Sequence, residues 1–450
     1  MTSLAERIRG IVVPGSGSPS RSWPGSRISS PESPIPNPEA RDLSPLGGEW
    51  RDGCFVVDRF WESSVSHGRD QVGHLADRIH NAAEEAPFFT GGRPARAPFV
   101  FLDLETTGLS GGAGTHAFLV GCGRFDEGRF VTRQFVMARF SDERPMLETI
   151  ARECARAGAL VSFNGKSFDA PLLETRYLFH RLAWFGLQLP HLDVLHPARQ
   201  FWRRDDCSLL ALERHLVGHR RVGDVPGIDI PGRYFQFVRT GDARPLRAVL
   251  EHNRLDLLSL AALTARLLDL AQRGAGAARD AREALALGRL FARAGLDGRS
   301  REAYSHSIAM SHAPKGAFDG VKVEGLRALA LAWRQARGFE EAARCWRELL
   351  EIRGCPAHIA AEAAEALAIH QEHRVRDLVT ARSYAVLNLE RAELGARAGG
   401  KDQNAWTQAV RHRLDRIDRK LAAPTAPPPS LALPLLPFSA APTSGPRTSW

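Results

Sequence analysis

The sequence predicts a mixed α/β domain followed by an all-α domain. Three observations predict it. Apolar runs of strand length at Phe99 to Glu105, Ala117 to Phe125 and Phe130 to Met137 are separated by glycine-bearing turns. Short apolar runs then alternate with helical patterns, as they do when helices cover a sheet. From residue 279 to 421 every periodic segment is helical.

Residues 1–45 are crowded with Pro, Ser and Gly (PGSGSPSRSWPGSRISSPESPIPNPEA), too little apolar surface to offset the entropy of ordering, so disorder is expected there and in the similar tail 422–450. An Arg/Ser-rich start also has the composition of a transit peptide. The three apolar runs read as a three-stranded meander. A helical pattern from Pro145 to Ala157 follows, then a short buried strand at Ala159 to Phe163 that enters a turn at Asn164-Gly165. A helix is expected from Pro171, a strand at His191 to Leu195, and helices at Ser208 to Val217 and Arg244 to Ala271. Together with an N-terminal lead-in these elements make one domain over residues 46–272.

Small residues between Arg273 and Ala278 read as a linker. The helical region 279–421 beyond it carries self-similar blocks, ALALGRLFARAG, LALAWRQARGFEEAARCWRELL and ALAIHQEHRVRDLVTARSYAVL. Ala330, Trp333, Ala342 and Trp346 occupy the small and aromatic packing positions of a TPR repeat, although the period is irregular and an ordinary helical bundle is the alternative. Stacked helix pairs usually form a concave surface, so a docked peptide or protein partner is expected there.

The chain has 450 residues, 44% of them hydrophobic, which suffices for two or three domains with cores. Its formal charge of +9 comes mainly from arginine, the side chain best shaped to grip phosphate. A polyanionic partner fits that charge, and a simple compositional bias explains it equally well. The six cysteines form no CxxC pair, which argues against a disulfide framework and a zinc ribbon and leaves free thiols. The sequence has neither a signal-like apolar run near its start nor a membrane-length one, so a cytoplasmic location without membrane contact is expected.

Three segments carry carboxylates suited to chemistry. Asp103 and Glu105 stand two apart at the end of an unbroken apolar strand (FVFLDLETTGLS), so both side chains share one face at the end where α/β sheets place their sites. Asp169 lies in FNGKSFDAP just before a helix, where an N-cap is the commonest role. His252 and Asp256 stand four apart in EHNRLDLLSLAAL and share a helical face. Carboxylates gathered from different elements are what a hard divalent cation requires. Thr106, Asn164 and Lys166 are candidate substrate contacts, while a plain Asn-Gly turn and a solvated lysine are equally natural readings of the latter two. Asp193 in HLDVLHPARQFW is read as a supporting or structural residue. GLSGGAGT lacks the ending of a P-loop and reads as a tight turn beside the site. The clusters Arg203-Arg204 and His219-Arg220-Arg221 either flank a nucleic-acid channel or are solvated faces.

The order DxE, FNxxxFDxP, HNxxD resembles the DEDD exonucleases, and the fuller strings FLDLETTGLSGGAGTHAFLVG, SFNGKSFDAPLLETR, HLDVLHPARQFW and HNRLDLLSLAAL resemble the bacterial YprB/MrfB group of RNase H-like proteins. The resemblance spans residues 46–272 and continues into the helical repeats. It implies an RNase H-like exonuclease domain in which Asp103, Glu105, Asp169 and Asp256 hold two divalent cations, Mg²⁺ or Mn²⁺, and His252 handles the attacking water. It also implies 3′ to 5′ hydrolysis of nucleic acid, DNA before RNA, in repair, with a helicase as the candidate partner of the repeats. One position departs from the pattern. His252 stands four before Asp256, the spacing of the tyrosine subtype, whereas the histidine subtype places its histidine five before. An RNA-processing exonuclease and a catalytically silent nucleic-acid-binding scaffold are the alternatives.

Overall fold

The computed structural model describes residues 41–108, 114–202, 206–312, 314, 316–396 and 403–422. The expected disordered N-terminus and tail, the centre of the glycine-rich turn and the Arg203-Arg204 cluster lie mostly or wholly outside the described residues.

The strands are β1 (Glu49–Arg51), β2 (Cys54–Trp61), β3 (Ser66–His67), β4 (Asp70–Gln71), β5 (Phe99–Thr106), β6 (Ala117–Asp126), β7 (Arg129–Val136), β8 (Ala159–Ser162) and β9 (His191–Asp193). Seven of them form one sheet in the order β1-β2-β7-β6-β5-β8-β9, and β3-β4 form a separate hairpin. The meander is present, with β5-β6 and β6-β7 antiparallel, while β8 joins β5 in parallel and β9 joins β8 in parallel. The sheet is therefore mixed, and β5 lies between an antiparallel and a parallel neighbour. Such a strand is buried on both faces, which is why Phe99 to Leu102 is uninterrupted apolar sequence. The register between β5 and β6 slips at Glu105/Thr106, an irregularity of the kind that re-aims side chains beside sites.

The first seven helices are α1 (Val72–Asn81), α2 (Glu143–Cys154), α3 (Asp169–Phe179), α4 (Leu195–Phe201), α5 (Leu209–Leu212), α6 (Ile230–Thr240) and α7 (Leu246–Arg273). Three expectations are corrected. Strand β2 was not anticipated. The helix expected from Pro171 begins at Asp169, and the helix expected over Ser208 to Val217 stops at Leu212 and continues as a π-turn, Glu213–Val217. Two apolar layers cover the two faces of the sheet. One holds Leu102, Leu104, Phe118, Val120, Phe135, Ile150, Tyr177 and Tyr234. The other holds Phe101, Phe130, Val161, Leu192 and the inward side of α7.

The remaining helices are α8 (Ala281–Arg293), α9 (Asp297–Ala309), α10 (Gly320–Gln335), α11 (Phe339–Glu351), α12 (Ala357–His370), α13 (Leu378–Ala396) and α14 (Gln403–Ala422). Each packs on the next, and loops of a few residues between α8 and α9 and between α10 and α11 make neighbours of sequential helices. Successive pairs begin at Ala281, Gly320 and Ala357, intervals longer than the roughly 34-residue TPR period. The apolar layer under α7 runs on into Ala286, Leu287, Leu290 and Phe291 of α8 and Ala303 of α9, so the sheet and the helical region share buried surface. All six cysteines are free, four of them buried. No helix among the described residues is long and apolar enough to cross a membrane.

Candidate active site

Strand β5 ends with Asp103 and Glu105 on one face, flanking the buried Leu104. Helix α7 crosses that face and presents one stripe of residues, His252, Asn253 and Asp256, to it. Ligating atoms of Glu105, His252 and Asp256 all lie within 4.8 Å of one another. Asp169 enters from α3. It is the first helical residue rather than the cap, because the cap position is Phe168 and makes no side-chain cap bond. The structure thus brings together the four carboxylates and the histidine singled out from sequence.

Their charges act on one another. Burial, then the charges of Asp256, Glu105 and Asp169, raise Asp103 well above the usual carboxylate range. Burial, followed by Asp256, Asp169 and Asp224, pushes Glu105 up to about 9. Burial and the Asp193 charge push Asp169 up to about 7. Asp256 is also raised by burial, though Arg221 and His252 oppose the rise. Opposed like charges held out of water are a state that a cation relieves.

Several residues that sequence reasoning passed over hold this cluster in place. Asn253 donates from Nδ2 to Asp103 Oδ2 at 2.8 Å, and its own Oδ1 accepts from Gln134 Nε2 of β7 at 2.8 Å. Gln134 Nε2 is also 2.8 Å from the Leu250 carbonyl. The contact is close because residue 121 of β6 is glycine: a Cβ there would stand 2.1 Å from Asn253 Oδ1. Asp224 Oδ1 accepts from His252 Nδ1 at 2.8 Å. Burial works against ionisation of Asp224, but the His252 bond and the Arg221 charge keep its pKa below the ordinary value, so it is an acceptor and Nδ1 carries the proton. The other ring nitrogen, Nε2, then faces Asp256 Oδ2 at 3.4 Å.

Arg221 is not a solvated residue. Its side chain is 3% exposed and reaches Glu213 at 2.5 Å, Asp224 at 3.1 Å and Asp256 at 2.6 Å. Three carboxylates from the π-turn, a loop and α7 share one guanidinium, the planar fork that suits such sharing. Glu213 in turn accepts from Ser259 Oγ, which also bonds His67 Nε2 at 2.9 Å. Asn253 was visible in the HNRLD string without an assigned role. Asp224 carries no local signal at all.

Asp193 is 1% exposed and accepts backbone N–H groups from Asn164 at 2.7 Å, Lys166 at 3.0 Å and Leu195 at 3.2 Å. It pins the loop that delivers Asp169. Asn164 adopts φ +65°, a left-handed conformation that asparagine tolerates, so the turn reading describes its backbone. Lys166 is exposed, and Phe168 beside Asp169 is 61% exposed. Thr106 donates to the Gly108 carbonyl at 2.9 Å.

Residues 100–268 match the sequence profile of the RNase_H superfamily, a span that contains all five residues at the centre of the cluster. The uncharacterized protein YprB of Bacillus subtilis (strain 168) is 29% identical over 330 residues, covering 72% of this chain and 75% of that protein. The profile match and the mixed sheet with its flanking helices agree on an RNase H-like α/β domain, followed by a helical region.

Proposed function

We propose that this protein is a divalent-metal-dependent nuclease of the DEDD exonuclease type that removes nucleotides 3′ to 5′, with DNA in repair as the favoured substrate. The convergence of Asp103, Glu105, Asp169 and Asp256, each raised from its ordinary value chiefly by burial, carries the reading. The donor set fits a hard cation: four carboxylates and one imidazole, drawn from a strand and two helices. Asp103, Glu105, Asp169 and Asp256 would hold two Mg²⁺ or Mn²⁺ ions. When bound, such ions supply Lewis-acid stabilisation of a phosphodiester and a lowered pKa for water.

The chain's own residues supply placement. Asn253 fixes the Asp103 carboxylate, and Asp193 fixes the loop ahead of Asp169. Asp224 holds His252 Nδ1–H, which leaves Nε2 available to receive a proton at the rim of the cluster. We further propose that the TPR-like helical region docks a protein partner, in line with its stacked helix pairs.

A second reading, a catalytically silent nucleic-acid-binding scaffold, draws support from the Arg221–Asp256 ion pair, which engages one carboxylate oxygen of the cluster at 2.6 Å. One gel separates the two. Purified protein is incubated with 5′-labelled single-stranded and duplex DNA and RNA, with Mg²⁺, Mn²⁺ or EDTA, beside Asp103→Ala and Asp256→Ala. The nuclease reading expects a metal-dependent ladder that both variants lose. Binding without any cleavage supports the scaffold.

A further inference from the structure

A cavity of 440 Å³ opens between the π-turn and the loop that follows it, lined by Leu210, Arg214, His219, Arg220, Arg221 and Asp224. Arg221 forms its floor and touches Asp256, so the cavity lies one side chain away from the carboxylate cluster. The charge on Arg221 is shared among Glu213, Asp224 and Asp256. Arg214 and Arg220 differ: both are exposed, and among the described residues neither has a carboxylate partner. That is unlike Arg51, Arg133, Arg327 and Arg382, which lie on the surface and each pair with an acid. His219 is fixed by a ring contact with His67, centroids 4.4 Å apart, which holds the loop carrying Arg220.

We propose that this cavity is a phosphate subsite for the nucleic-acid backbone, in which Arg214 and Arg220 hold phosphodiesters neighbouring the one presented to the carboxylates. The inference rests on the nuclease reading above. Two exposed guanidiniums lining one cavity, with no carboxylate partner among the described residues, suit the repeated charge of a chain of phosphates. Leu210, 42% exposed, offers apolar surface to a sugar. Asp224 at the inner edge is engaged by His252 and Arg221, so its charge is already answered inside the protein.

The test uses the full chain with Ca²⁺ in place of Mg²⁺ to hold a fluorescein-labelled single-stranded DNA twelve-mer without cutting it. Anisotropy gives the affinity of wild type, of Arg214→Gln/Arg220→Gln, and of Arg327→Gln/Arg382→Gln, which removes the same charge elsewhere. Loss of two phosphate contacts on a single strand should flatten the slope of log affinity against log salt by about 1.4 and weaken binding about tenfold or more at moderate salt. The control should stay within about twofold of wild type if only distant, screened charge is removed. Circular dichroism and the Mg²⁺-induced rise in Tm report whether the fold and the carboxylate cluster survive in the double variant. If the two double variants weaken binding equally, or the salt slope of Arg214→Gln/Arg220→Gln equals that of wild type, the subsite is overturned while a wild-type ladder keeps the nuclease reading. If wild type neither binds nor cuts, the nuclease reading fails and the subsite with it.

Discussion

Replacing Glu105 by glutamine should make the metal-free protein more stable. Burial and the charges of Asp256, Asp169 and Asp224 push this carboxyl from 4.5 up to about 9. The folded state thus binds a proton that the unfolded chain releases. Stability falls as pH rises from the unfolded value through the folded one, and the loss is confined to that window. By pH 7.5 roughly three units of it have been crossed, which at 1.36 kcal/mol per unit amounts to about 4 kcal/mol. The side chain is partly open to the cleft and shares its repulsion with three neighbours, so the relief expected in Glu105→Gln is about 1–3 kcal/mol. For the roughly 230 residues around the sheet this is a rise in Tm of about 2–8 °C at pH 8, shrinking toward zero at pH 5. Thermal unfolding in EDTA from pH 5 to 8.5, followed by circular dichroism, measures it. Adding Mg²⁺ at pH 8 should raise the wild-type Tm more than that of the variant, since the ion and the substitution relieve the same charge. A variant no more stable than wild type at pH 8, beside a wild type whose stability is flat with pH, would refute the idea that these carboxylates burden one another.

Three further outcomes follow from the geometry. Asp193→Ala strands three backbone N–H groups beneath the loop that carries Asn164 and Lys166, and urea titration should show a loss of about 2–4 kcal/mol. Gly121→Ala drives a methyl against Asn253 Oδ1, breaks its bond to Asp103, and should lower nuclease turnover at least about tenfold at a stability cost of about 1–3 kcal/mol. Glu143→Gln removes the carboxylate charge opposite the Arg176 guanidinium, both side chains being 2% exposed, and should cost about 3–5 kcal/mol at pH 7. Burial opposes ionisation of Glu143, yet Arg176 and His180 hold it below its ordinary value, so its contribution is present above pH 4.5 and lost as pH falls through the folded value. Urea midpoints of wild type and Glu143→Gln should therefore converge as pH falls below 4.5.

Periodicity made the sheet's centre legible. Strands β5, β6, β7 and β8 are buried apolar runs bounded by turns, and the two-residue spacing of Asp103 and Glu105 followed from the strand itself. Strand β2 escaped because its outer half carries Asp58 and Arg59 and its partner is distant in sequence. The pairing of Asp58 with Arg133, 75 residues away, exists only once β2 and β7 are side by side. Arg221 looked like one member of a basic surface run, and its burial depends on three acids from three separate elements. Asp224 sits in a loop with no repeating pattern, so only the folded chain could pair it with His252. The start of the helix at Asp169 was misjudged because Pro171 suggested a later one, whereas a proline is tolerated throughout the first turn, where its missing N–H has no partner to lose.

Helix α7 is a single 28-residue rod with two occupations. Its front turns carry His252, Asn253 and Asp256, and its rear turns from Leu257 to Ala271 are buried between the sheet and helix α1, in an apolar layer that runs on into α8 and α9. One residue inserted behind Asp256 would swing everything beyond it by about 100° and aim the apolar stripe at the wrong neighbours. The sheet and helix α1 therefore work as a housing for the shaft on which the acids are mounted. A chain ending at Arg273 would strip Ala286, Leu287, Leu290, Phe291 and Ala303 from that shared apolar layer, and would tend to stick to itself before it could act on anything else.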